Sequence, residues 1–144
     1  MSDRPERSVP GVEHDVQDEI LHEHASLKEL LKRLEAAATL EQMEKDLQRL
    51  EALLRDHFAA EEERLFPKLL DEAPQHDAFV KGLIEEHTKM IRHVVELRAA
   101  VEPGADFPTV VSDSAGLVAE LRNHEERENE VILDTFFRDT GIGG

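Results

Sequence analysis

The stretch DHFAAEEERLFP, residues 56–67, interrupts a regular helical stripe. Apolar residues recur at Met43, Leu47, Leu50, Leu54 and Leu65 with the three- and four-residue spacing of one helix face. The places that should carry this stripe from Leu54 to Leu65 hold His57 and Glu61. A helix whose other inward residues are aliphatic thus turns an imidazole and a carboxylate, one turn apart, toward its own core.

Working outward, TLEQ at 39–42 is a capping box, Thr39 with Gln42, that starts this helix, and Pro67 kinks or tightens its last turn before Leu70. A preceding helix runs from an N-cap at Asp15 to about Ala38, with Ile20, Leu27, Leu31 and Leu34 on one face. DEAPQHD at 71–77 is a turn in which Asp77 caps a third helix over about 78–101, carrying Leu83, Ile84, Ile91 and Val94. EPGADFP at 102–108 is the next break. Asp106, ahead of Phe107-Pro108, suits the start of a fourth helix that ends near Phe137 and carries Leu117, Leu121, Val131 and Ile132, with Gly116 weakening its first turns. No strand pattern is present. Four long helices joined by short connections predict an all-α fold, an antiparallel up-down-up-down four-helix bundle over residues 13–138. Residues 1–12 read as an N-terminal arm and 139–144 as a frayed tail.

Composition narrows the function. With 33 acidic against 17 basic residues the net charge is −16 and there is no basic cluster, so nucleic acid and anionic membrane are poor partners. A cation fits better. The absence of cysteine excludes disulfides, thiolate sites and cysteine nucleophiles, and the absence of tyrosine excludes tyrosinate ligands. No signal-like segment or long apolar run occurs, which makes a cytoplasmic location the expectation.

Histidine is over-supplied, with eight residues. At about 100° per residue, His24, His57, His87 and His124 each fall on the apolar face of one helix, whereas His22 and His93 point elsewhere and His14 and His76 fall in or near loops. Glu128 joins His124 as Glu61 joins His57. His24 lies 15 residues before Thr39 and His57 lies 18 after it, while His87 lies 15 before Glu102 and His124 lies 16 after Pro108. Antiparallel packing therefore sets all four imidazoles and both carboxylates at one height. A single inward histidine is usually a hydrogen-bonded core residue. Two buried carboxylates, with no Lys or Arg on the inward faces beside them, call for a metal ion.

The chain also repeats itself. HFAAEEERL aligns with HEERENEVI as His-x-x-x-Glu, and EHASL aligns with EHTKM. Duplicated donors point to two ions, each with two histidines and a carboxylate, a set suited to iron–oxygen chemistry. At His24, His57-x-x-x-Glu61, His87 and His124-x-x-x-Glu128 the chain resembles the hemerythrin-like, or HHE cation-binding, family, and EEERLFP is a phrase that family favours. The resemblance implies two non-haem iron ions, bridged by Glu61 and Glu128 with room for oxo or hydroxo, and terminal ligation by His24, His57, His87 and His124. It further implies binding or redox handling of dioxygen or peroxide, whether for sensing, for detoxification with an oxygen- or peroxide-reducing activity, or for iron handling. Ile91 and Asn129 stand where oxygen-carrying members have a further histidine and the fourth-helix acid, which argues against reversible oxygen carriage. Glu62 and Glu125 are candidates for extra carboxylate ligands, with solvation the expectation for each. The rival readings are a zinc-binding or structural bundle, a ferritin-like bundle that would need inward Glu-x-x-His motifs, and a phosphotransfer bundle using His93.

Overall fold

The computed structural model describes residues 15–137; the arm expected at 1–12, the tail expected at 139–144 and His14 lie outside the described residues. Among the described residues the chain forms four helical rods and no strand. The first is α1 (Val16–Glu35). The second is composite: α2 (Leu40–Ala60), a π-helical turn (Glu61–Leu65) and α3 (Phe66–Glu72) follow one another without a break. The third and fourth are α4 (Asp77–Ala100) and α5 (Phe107–Phe136). Connections of a few residues make successive rods antiparallel, and α1 and α4 each pack against both α2 and α5.

Local chemistry explains most of the boundaries. Thr39 Oγ1 accepts the Gln42 N–H at 3.1 Å, and Gln42 Oε1 in return accepts the Ala38 N–H at 3.2 Å. This reciprocal cap holds Ala38 outside the first helix, which ends at Glu35 rather than at Ala38. Asp106 Oδ2 accepts the Thr109 N–H at 3.2 Å, as its place before Phe107-Pro108 predicts. Asp77 does not cap α4. It is the first residue of that helix, follows a short 3-10 turn (Pro74–His76), and pairs with Lys81 at 3.2 Å. In the last connection Ala105 N–H reaches Glu102 O at 2.9 Å across Pro103 and Gly104, whose φ of 90° suits glycine.

The π turn was not foreseen. Phe66 N–H bonds Glu61 O, one residue further back than in an α-helix. The inward positions His57, Glu61, Leu65 and Leu69 are spaced in fours. At 3.6 residues per turn each such step overshoots by about 40°, and the wider turn takes up the accumulated drift. Leu65 and Leu69 are consequently fully buried. Pro67, expected to kink the rod or tighten its last turn, sits in the first turn of α3, directly after the widened turn.

The apolar interior is divided in two. One cluster joins Leu27, Leu31, Leu34, Met43, Leu47, Leu54, Val94, Leu117 and Leu121 at the end bearing the α1–α2 and α4–α5 connections. The other joins Ile20, Leu65, Phe66, Leu69, Leu83 and Ile132 at the opposite end. Between them lies a layer of polar side chains.

Candidate metal centre

That layer is made of the residues singled out in the sequence. His24, His57, Glu61, His87, His124 and Glu128 are all buried, and both glutamates are completely so. The donor atoms fall into two groups of four, His24, His57, Glu61 and Glu128 in one and Glu61, His87, His124 and Glu128 in the other. Each glutamate divides its oxygens between the groups. Glu61 Oε2 lies 2.8 Å from His57 Nε2 and 3.2 Å from His24 Nε2, while Glu61 Oε1 lies 2.9 Å from His87 Nε2. Glu128 Oε1 lies 2.9 Å from His24 Nε2, and Glu128 Oε2 lies 3.3 Å from His124 Nε2. Cations bound about 2.0–2.2 Å from such donors set neighbouring donors about 3.0–3.5 Å apart, close to this spacing.

The outer nitrogen of every imidazole is held by a residue from the neighbouring rod. His57 Nδ1–H donates to Glu23 at 2.6 Å, His87 Nδ1–H to Glu62 at 2.7 Å, His124 Nδ1–H to Glu86 at 2.6 Å and His24 Nδ1–H to Asn129 Oδ1 at 2.6 Å. A carboxylate can only accept, so each ring carries its proton on Nδ1 and presents Nε2 to the centre. This is the arrangement that orients metal-binding histidines. Glu23, Glu62 and Glu86 were not foreseen in this role, and Glu62 was expected to be merely solvated. Their signal is positional: Glu23 and Glu86 immediately precede His24 and His87, and Glu62 immediately follows Glu61.

Whether a cation fits can be tested on the polar atoms. His57 Nε2, Glu61 Oε1 and both Glu128 oxygens are buried without a hydrogen bond. Nε2 of His87 and Nε2 of His124 face each other at 3.1 Å. Lone pairs aimed at one another and orphaned carboxylate oxygens are costly unless a positive charge stands between them. In the metal-free chain protons supply part of it. Burial works to lower the pKa of His24 and of His87, yet the close carboxylates of Glu128 and Glu61 outweigh it and raise both to about 10. Burial likewise pushes Glu128 up, and its bonding to Glu61 and the imidazoles holds it well below the usual carboxylate range. The imidazoles themselves thus compensate the carboxylates where Lys and Arg are missing. The eight convergent donors remain.

A family model for the hemerythrin HHE cation binding domain matches residues 15–136. The chain belongs to that family. No curated protein and no solved structure matches the chain. The hemerythrin domain spans all four rods, and cation binding is the property that its description names. Around the centre, Leu54 and Leu121 are fully buried, and the Phe58 ring stacks on His87 with centroids 3.8 Å apart and planes 5° apart. Ile91 is half-buried near His87, and Asn129 anchors His24. Glu125 corrects an expectation. It is 6% exposed rather than solvated, and burial pushes its carboxyl up to about 7. His22 is exposed as expected, whereas His93 is half-buried and bonds Glu120 at 3.0 Å.

Proposed function

We propose that this hemerythrin domain holds two iron ions and uses them to bind or reduce a small oxidant, dioxygen or peroxide. The observation that carries the reading is the division of Glu61 and Glu128, each offering one oxygen to a pair of Nε2 atoms on either side. His24 with His57 would hold one ion, His87 with His124 the other, and the two glutamates would bridge. When bound, a pair of irons in such a ligand set supplies two electrons and open coordination positions for dioxygen chemistry. The protein contributes the rest. Nδ1 anchors hold the rings in one tautomer, the paired apolar clusters exclude bulk water, and Phe58 covers one side of His87. No helix of the described residues is long and apolar enough to cross a membrane. The net charge of −16 supports a small ligand rather than nucleic acid or an anionic lipid surface as partner.

A zinc or purely structural reading draws on the same donors, because each group supplies four and zinc favours four-coordination by histidine and carboxylate. Metal analysis with optical spectroscopy separates the two. Without Trp or Tyr the polypeptide is nearly transparent in the near ultraviolet. The expected result is two irons per chain, with near-ultraviolet bands that appear when the ferrous protein meets dioxygen or peroxide. Stoichiometric zinc and an unchanged spectrum on exposure would replace the redox reading with the structural one.

A further inference from the structure

The halves of the centre repeat their donors but not their surroundings. Aligning the two internal copies matches Glu23 with Glu86, which hold Nδ1 of His57 and His124. Among its differences, two fall directly beside the paired histidines. Glu62, the anchor of His87, is matched by Asn129, the anchor of His24. Phe58, stacked on His87, is matched by Glu125. Both departures lie on the α1–α5 side of the bundle. One half has a carboxylate on its outer nitrogen and an aromatic ring as cover; the other has a neutral amide on that nitrogen and a carboxylate at the covering position.

Glu125 shares with Asp46, Glu61 and Glu128 a buried carboxylate in which an oxygen lacks a hydrogen bond. It is 94% buried, counting from its 6% exposure, and its Oε2 has no hydrogen bond. On its inner side the charged groups that act on it most are those of the centre, His24, His57, Glu128 and Glu61. On its outer side lies a cavity of about 360 Å³ between α1 and α5, lined also by Lys28, Lys32, Arg122, Glu126 and Asn129. Arg122 is engaged elsewhere, gripping Glu35 with two bonds of 2.8 and 3.0 Å. An unpaired carboxylate in an interior costs several kcal/mol, and the matching place in the other half shows that an apolar residue suffices for packing.

We propose that Glu125 is an additional, one-sided carboxylate ligand for the cation held by His24 and His57. This rests on the two-cation reading. Glu125 stands outside both four-donor groups, so ligation requires its side chain to turn toward the ion about its torsions. The two cation positions are then inequivalent. The His87/His124 position is closed by Phe58, whereas the His24/His57 position has a displaceable carboxylate next to a cavity of a size to admit a small ligand.

The test compares wild type, Glu125→Gln and, as control, the exposed neighbour Glu126→Gln, all stripped of metal and reloaded without oxygen. Cobalt(II) titration reads affinity, and Mössbauer spectra of ferrous ⁵⁷Fe protein read the two environments. Wild type and Glu126→Gln are expected to show two distinct ferrous doublets. Glu125→Gln should shift one doublet, leave the other in place, and weaken one cobalt step about 10-fold or more. Doublets and affinities unchanged in Glu125→Gln would overturn the Glu125 assignment alone. A wild-type protein that takes up fewer than two ions would instead overturn the two-cation reading on which it rests. Should Glu125→Gln not fold, Glu125→Leu, apolar like Phe58, carries the same comparison.

Discussion

The Nε2 atoms of four histidines can accept a cation only while their Nδ1 atoms keep a proton, and three glutamates and one asparagine enforce that. Glu23→Ala should therefore lower metal affinity about 10–100-fold, measured by competition with a chelator, while the metal-free fold is barely altered, because Glu23 is 40% exposed. Glu61→Gln replaces one of the two oxygens that Glu61 divides between the groups, and metal analysis should find at most one ion per chain instead of the two proposed. Acidity gives a further check on the metal-free protein. His24 and His87 have pKa values raised from 6.5 to about 10, so their contribution to stability is fully present below 6.5 and is lost as pH climbs toward 10. Its melting temperature should fall across that window in circular-dichroism scans with chelator present. The loaded protein should lack this fall, since bound imidazoles are already neutral.

The second rod shows how an element accommodates a site. Its inward residues are spaced in fours from His57 to Leu69, and the π turn corrects the resulting drift. Deleting the exposed Glu63 converts that spacing to a four-three-four pattern that an ordinary α-helix satisfies. Such a variant should remain folded, keep its metal and melt within a few degrees of wild type. Deleting Ala59 instead rotates Glu61 about 100° away from His57 and should abolish metal binding. Helix ends and interiors offer smaller effects. Thr39→Ala should cost about 1 kcal/mol by freeing the Gln42 N–H. Gly116 lies exposed within α5, and a methyl group there meets nothing within 4 Å. Gly116→Ala should therefore stabilise by about 0.5–1 kcal/mol in denaturant titration.

Across the whole molecule the polar layer separates two apolar clusters, so the bundle carries a weak plane that a cation would tie together. Binding to the folded state alone contributes about 2.7 kcal/mol for a site at a hundred times its dissociation constant. For a domain of this size each kcal/mol moves the midpoint by about 2–4 °C. Removing metal from a two-ion protein should thus lower the melting temperature by about 10 °C or more, and re-addition should restore it.

The chain's periodicity, with its capping and turn residues, determined the four rods, the breaks between them and the six polar residues that meet at one level. A helix has a fixed angle per residue, and short loops leave antiparallel packing little choice. Tertiary structure alone decided which glutamate oxygen faces which pair of imidazoles, which neighbour anchors each Nδ1, where the second rod widens, and that Glu125 is buried. Periodicity states the direction in which a side chain leaves its own helix. Contacts between rods depend on how far that side chain reaches across a groove whose width and rotation only the packed bundle sets.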